Sequence, residues 1–244
     1  MLPLRTRLTK IFHLAAFAVA ATVLPGANAA FAASPPVPAF TAHYRLLQNG
    51  SPIGSATLTL SQGSDGEWTF TTVSKGTAGL ASLLGAETRE VSVFRWVDDR
   101  PRCESYEYTL STALKQQHRT VHCDWARHDI VVGDKGTHTF ATLPGTLERH
   151  TVPLALAADL ASGHRSFTLP VAVRDRIEMQ RYAPHGKQAV TVPAGTFDAT
   201  RVSRTDGGEG FEAWFAPAKL PVPVKIDQRG KNDFSLELES WSAH

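Results

Sequence analysis

Two cysteines, Cys103 and Cys123, have the spacing that most directly predicts a covalent link in this 244-residue chain. If Cys103–Leu110 and Gln117–Trp125 form a hairpin centred on Ala113, Cys103 faces Cys123, Glu107 faces Arg119 and Tyr106 faces Thr120. That register brings the sulfurs together and adds a favourable cross-strand charge pair. Redox chemistry would call for Cys-x-x-Cys or a thiol activated at a helix N-terminus. Neither pattern occurs, so the pair reads as a structural disulfide. His118 and His122 share one face of the same strand, but four residues of extended chain set them roughly 13 Å apart. Zinc–nitrogen bonds are about 2 Å long, so the two are poor co-ligands and no metal site is expected. Glu237 and Glu239 have the i, i+2 spacing at which two carboxylates could serve as acid and base. They alternate with Leu236 and Leu238, however, and therefore read as the wet face of a strand. The sequence contains no Gly-x-Ser-x-Gly, Ser-x-x-Lys, phosphate-binding loop or dinucleotide fingerprint, so it assigns no catalytic residue and implies no cofactor. Trp68, Trp96, Trp125, Trp214 and Trp241 could stack sugars, but tryptophans on alternating strands read first as core.

The elements that would position these residues have a period of two. Phe40, Ala42, Tyr44 and Leu46 alternate with polar neighbours. Beyond Asn49-Gly50, in a looser turn running to Gly54, Ala56, Leu58 and Leu60 do the same, and Trp68, Phe70 and Thr72 follow the turn at Gly63–Gly66. Further strand-like runs are Glu90–Trp96, Cys103–Leu110, Gln117–Trp125, Thr137–Leu143, Arg165–Val173, Arg176–Tyr182, Gln188–Val192, Thr196–Arg204, Phe211–Phe215, Val222–Gln228 and Phe234–Trp241. Asp98-Asp99-Arg100-Pro101 reads as a turn. Helix is expected only at Thr77–Leu84, bounded by Gly76 and Gly85, and at Thr151–Ser162, with Thr151 as N-cap, Pro153 in the first turn and Gly163 at the stop. About a dozen strands without βαβ alternation predict an all-β domain with one or two short helices: one antiparallel, strongly curved sheet forming a barrel or half-barrel.

The first residues place this domain behind a leader. Arg5, Arg7 and Lys10 precede an apolar run from Ile11 to Leu24, too short to span a bilayer and followed by small residues suited to cleavage after Ala29 or Ala32. Residues 1–32 are thus expected to be a signal peptide, 33–39 a Pro-rich linker and 40–242 the single domain. No cysteine stands near the cleavage region to accept a lipid, and no later segment approaches spanning length. Periplasmic localisation follows, and an oxidising compartment favours the disulfide. The leader carries three of the 25 basic residues and none of the 23 acidic ones, so the processed chain is nearly neutral. Such a balance supplies no broad positive surface for nucleic acid.

Four blocks carry a family resemblance. They are Ala42-His43-Tyr44-Arg45 with Gly50 and Ile53–Ala56, Gly79–Gly85, Pro193–Val202, and Trp214 with Leu220–Ile226. In order and spacing the chain from about Phe40 to Trp241 resembles the exported bacterial family called domain of unknown function 3108. The resemblance implies a β-rich envelope protein with a curved half-barrel sheet and no assigned catalytic residues. Pro223 departs from the family's plain strand at that block and is unfavourable for a central strand position. The reading that follows is a non-catalytic binding protein whose concavity holds an amphipathic or lipid-like envelope ligand, with the Thr151–Ser162 helix as plug or lid. The competing readings are an envelope glycan or peptidoglycan hydrolase and a structural partner in envelope assembly.

Overall fold

The computed structural model describes residues 35–208, 210–230 and 233–244. The expected signal peptide, residues 1–32, lies outside them. The described chain runs β1 (Phe40–Gln48), β2 (Ser51–Gln62), β3 (Glu67–Gly76), α1 (Gly79–Leu83), β4 (Glu87–Val97), β5 (Arg100–Ser111), β6 (Gln116–Asp124), β7 (Asp129–Gly133) and β8 (Thr137–Ala141). It continues through β9 (Leu147–Glu148), a 3-10 turn (Arg149–Thr151), α2 (Val152–Ala161), β10 (Phe167–Val173), β11 (Arg176–Val192), β12 (Gly195–Arg204), β13 (Gly210–Phe215), β14 (Pro223–Arg229) and β15 (Phe234–Ala243).

All the strands lie in one sheet, ordered β8 back to β1, then β15 back to β9. Neighbours are antiparallel except the two-residue β9 beside β10. β1 and β15 pair along their lengths, from Phe40 against Ala243 to Gln48 against Phe234, so the first and last strands sit in the middle of the sheet. The sheet stays open between β8 and β9, which makes it a half-barrel.

Alternation decides which face turns inward. Phe40, Ala42, Tyr44, Ala56, Leu58, Leu60, Trp68 and Phe70 are buried, as their period of two predicts. Val37, in the Pro-rich stretch before β1, is buried with them. What these side chains meet is α2, where Leu154, Ala155, Leu156 and Ala158 are buried together in the same core. The helix is apolar on nearly every side because the sheet curls around it. It thus occupies the concave interior, with Glu148 and His150 at its start and Asp159 near its end. Arg100, the first residue of β5, donates from Nε and Nη2 to the Asp159 carboxylate, each bond 3.1 Å long. A second cluster unites Cys103, Tyr106, Val121, Cys123, Ile130, Val132 and Ala172, seating the turn end of the β10–β11 hairpin against β5–β7.

The disulfide between Cys103 and Cys123 is present, with the Cα atoms 6.0 Å apart. The hairpin register proposed around it is not. β5 and β6 pair Tyr106 with Val121, Glu107 with Thr120 and Tyr108 with Arg119, one residue away from the expected partners. Such a slip would by itself turn one cysteine to the wrong face. A β-bulge compensates: β4 pairs Val93 with Ser105 but Phe94 with Cys103, leaving Glu104 as the extra residue. The bulge restores the inward direction of Cys103 just where the disulfide needs it. Glu107 instead meets His118 at 3.0 Å, and Arg119 meets Asp134 at 3.0 Å.

Other local expectations also change. Asn49 and Gly50, with φ of 48° and 77°, make a tight turn, and the looseness toward Gly54 is a bulge at Ile53. Leu47, not Leu46, is the buried leucine of that strand end. Thr151 makes no side-chain cap; the Glu148 carboxylate caps instead, accepting from the backbone N–H groups of His150 and Thr151. The two runs Arg176–Tyr182 and Gln188–Val192 are one long strand, β11, irregular between Pro184 and Lys187. Pro223 opens β14 beside a bulge between Trp214 and Phe215, a place where no ladder N–H is needed. Its carbonyl accepts a 2.7 Å hydrogen bond from the buried Tyr44 hydroxyl, so β14 keeps its central position.

Candidate functional site

The upper part of the concave interior, beyond the start of α2, is a cavity of about 900 Å³. One wall comes from β4, β5 and β6 with Glu90, Tyr106, Arg119 and Val121, and the opposite wall from β11 and β12 with Glu178, Gln180, Tyr182 and Arg204. Glu148, His150, Val152 and Pro153 form its floor. Alternation on β11 explains the second wall, since Glu178, Gln180 and Tyr182 lie two apart and share a face. Apolar contact is supplied by Val121, Val132, Val152, Ala172, Met179 and Phe211, so the lining is amphipathic.

The floor is a closed polar network. Ser92, fully buried on β4, donates its hydroxyl to the Glu148 carboxylate at 2.7 Å. His150 Nδ1 lies 2.7 Å from the same serine oxygen, and Nε2 lies 2.8 Å from the Thr72 hydroxyl. With the serine proton given to Glu148, Nδ1 carries the ring hydrogen and Nε2 accepts from Thr72. The imidazole also stacks on Phe70, centroids 4.5 Å apart. A serine beside a histidine has the outline of a nucleophile and its base. Here the serine is sealed from the cavity and the carboxylate holds the serine rather than the far side of the imidazole. The arrangement fixes the entry to α2 and satisfies the buried Glu148.

The second wall is a chain of charge-assisted hydrogen bonds. Arg204 donates to Asp206 at 2.7 Å and to Glu178 at 3.1 Å, while Arg176 reaches Glu178 at 2.6 Å. Gln180 donates to Glu178 at 3.2 Å and accepts from the Tyr182 hydroxyl at 2.6 Å. Burial pushes both carboxyls up, but the Arg204 guanidinium with Gln180 and Arg176 at Glu178, and backbone N–H groups with Arg204 at Asp206, outweigh it and hold both below the usual range. These are ionised acceptors suited to holding a polar group, not proton donors. On the first wall, Tyr106 donates to Glu90 at 2.6 Å; burial, and then the Glu90 charge, drive its phenol far above the usual value.

The residues that sequence reasoning singled out lie elsewhere. His118 and His122 are exposed on the outer face of β6, and among the described residues no group of three metal-ligating side chains is assembled. Glu237 pairs with Arg45 at 2.6 Å and Glu239 is exposed. None of the five tryptophans lines the cavity. Trp68 and Trp214 are buried, Trp96 packs edge-on to Trp68 and Phe94, and Trp125 donates to the Cys103 carbonyl at 2.7 Å. The cavity residues themselves were missed. The one sequence signal for them was the polar stripe Arg176, Glu178, Gln180 and Tyr182 on alternate positions of β11.

The profile of a family described as "Protein of unknown function (DUF3108)" matches residues 39–239. No curated protein matches the chain. Among solved structures, the chain is similar to a β-barrel-like protein of domain of unknown function DUF1849 from Brucella abortus, with 12% identity and a TM-score of 0.53 over 86% of this chain and all of that one. A protein from Parabacteroides distasonis described provisionally as a lipoprotein aligns at 9% identity and a TM-score of 0.34, over 85% of this chain and 97% of its own.

Proposed function

This chain belongs to the DUF3108 family of proteins of unknown function, and from that premise we propose that it is an exported, periplasmic, non-catalytic binding protein for an amphipathic envelope ligand. The observation that carries the reading is the cavity of about 900 Å³, within the usual range for small-molecule sites, whose lining mixes charged side chains with apolar ones. Arg204 and its carboxylate partners would hold the ligand's polar head. Val121, Val132 and Phe211 would cover an apolar portion of lipid-like character. α2 acts as the plug that fills the lower interior and leaves the upper part open.

Native mass spectrometry of protein exported to the periplasm tests this directly. The expected result is an added mass of lipid size that organic extraction removes. Arg204 lines the cavity and donates to Glu178 and Asp206, so Arg204→Gln, with a thermal melt to show that the fold is kept, should lower the occupied fraction. A bare mass for the wild-type protein from gently lysed cells, or equal occupancy of wild type and variant, would overturn the reading.

A further inference from the structure

At the end of the sheet where β3, β5 and β7 finish, three leucines point into water. Leu80 and Leu83 on α1 are 68% and 83% exposed, and Leu114 in the β5–β6 turn is 83% exposed. α1 buries no side chain at all. Its backbone is nevertheless tightly held. Leu84 O accepts from Ala113 N–H at 2.8 Å, which ties the two leucine-bearing segments together, and the N–H groups of Thr77 and Ala78 both bond to Ile53 O. Gly76 permits this closeness, since a Cβ there would meet the Ala81 backbone at 2.7 Å. The fold thus positions a short helix whose apolar side chains contribute nothing to the core. From Gly76 to Ala86 the sequence has no charged residue, and Lys115, beside Leu114, has no carboxylate partner among the described residues.

We propose that this leucine tip is a docking surface for an anionic phospholipid bilayer, entering the boundary between headgroups and acyl chains. Area argues against a protein partner as the occupant. Three leucine side chains offer roughly 200–350 Å² of apolar surface, whereas a stable protein interface covers about 800 Å² on each partner. A bilayer needs no matching shape, and a few apolar side chains with one lysine at the rim give reversible attachment. The charge is complementary, because Lys115 would meet lipid phosphate as the leucines enter. In a meander alternate turns share an end, so the β10–β11 turn at Arg174–Asp175 and the chain after β12, both on the cavity's rim, lie at the same end as the tip. The inference stands on the tip alone and does not require the cavity to be occupied.

Vesicle flotation tests it with the chain from Ser34 to His244, which forms one compact unit and omits the apolar run of residues 11–24. The vesicles are phosphatidylglycerol with phosphatidylethanolamine, and phosphatidylcholine alone. The expected result is binding to the anionic vesicles that falls at least about 30-fold in the L80S/L83S/L114S variant. Lys115→Glu should weaken anionic binding about fivefold or more and leave phosphatidylcholine binding unchanged. The substituted side chains are exposed, and a thermal melt matching the wild type shows that the fold is kept. Equal flotation of wild type and triple variant, or no flotation of either, overturns the proposal. So does a wild-type dimer in sedimentation that the triple variant abolishes without any vesicle binding, which would make a second copy the occupant.

Discussion

Three phenols give the molecule a sharp alkaline limit. Tyr44, Tyr106 and Tyr182 are 0%, 4% and 3% exposed, and burial drives each far above its ordinary pKa near 10. All three stay protonated in the fold while the unfolded chain ionises them, so stability is complete below pH 10 and is lost as pH rises. The linkage slope for three groups is about 4 kcal/mol per pH unit above 10. Urea titrations at pH 9, 10 and 11 should show this fall, with a shallower slope for Tyr44→Phe. That variant also leaves the Pro223 carbonyl without its donor, at about 1 kcal/mol in neutral solution. A flat profile up to pH 11 would contradict the burial of these hydroxyls. The cavity's charged side chains were hard to read in the sequence for a related reason. Glu178 and Arg204 look like solvent-facing positions of alternating strands, and Asp206 like a turn residue; only the curl of the sheet turns that polar face inward.

At the scale of elements, the disulfide depends on a local irregularity as well as on spacing. Glu104 interrupts the ladder, and the direction of Cys103 relative to Tyr106 follows from that extra residue. Alternation alone does not mark a bulge, which is why the cysteine pair was legible while the register around it was one residue off. The same blindness explains β7, whose five residues, with Ile130, Val131 and Val132 in a row, are too few and too uniformly apolar to show a period. The long alternating strands and the helix stopped before Gly163 were plain, because their patterns persist over several turns or pleats. The bridge closes a loop with a sequence separation of 20, which should stabilise the fold by about 3 kcal/mol. Cys103→Ser with Cys123→Ser should lower the urea midpoint by that equivalent and leave the far-ultraviolet circular dichroism unchanged. An unchanged midpoint would mean that the unfolded chain is already restricted near this hairpin.

For the whole molecule, strand order has a kinetic meaning. Every neighbouring pair except one joins segments close along the chain, in two meanders, β1 to β8 and β10 to β15. The exception is the β1–β15 seam, which joins residues about 200 positions apart. Closing so long a loop costs entropy before any contact repays it, so the halves can form early and their union waits for the last strand. A circular permutant makes the consequence measurable. Linking His244 to Ala39 across the seam and opening the chain between Thr142 and Thr146, at the sheet's free margin, would make strand order follow chain order throughout. Its contact order would fall, and stopped-flow refolding should be faster than that of the parent at similar stability. Deleting β15 from the parent should instead leave two meanders with no common sheet.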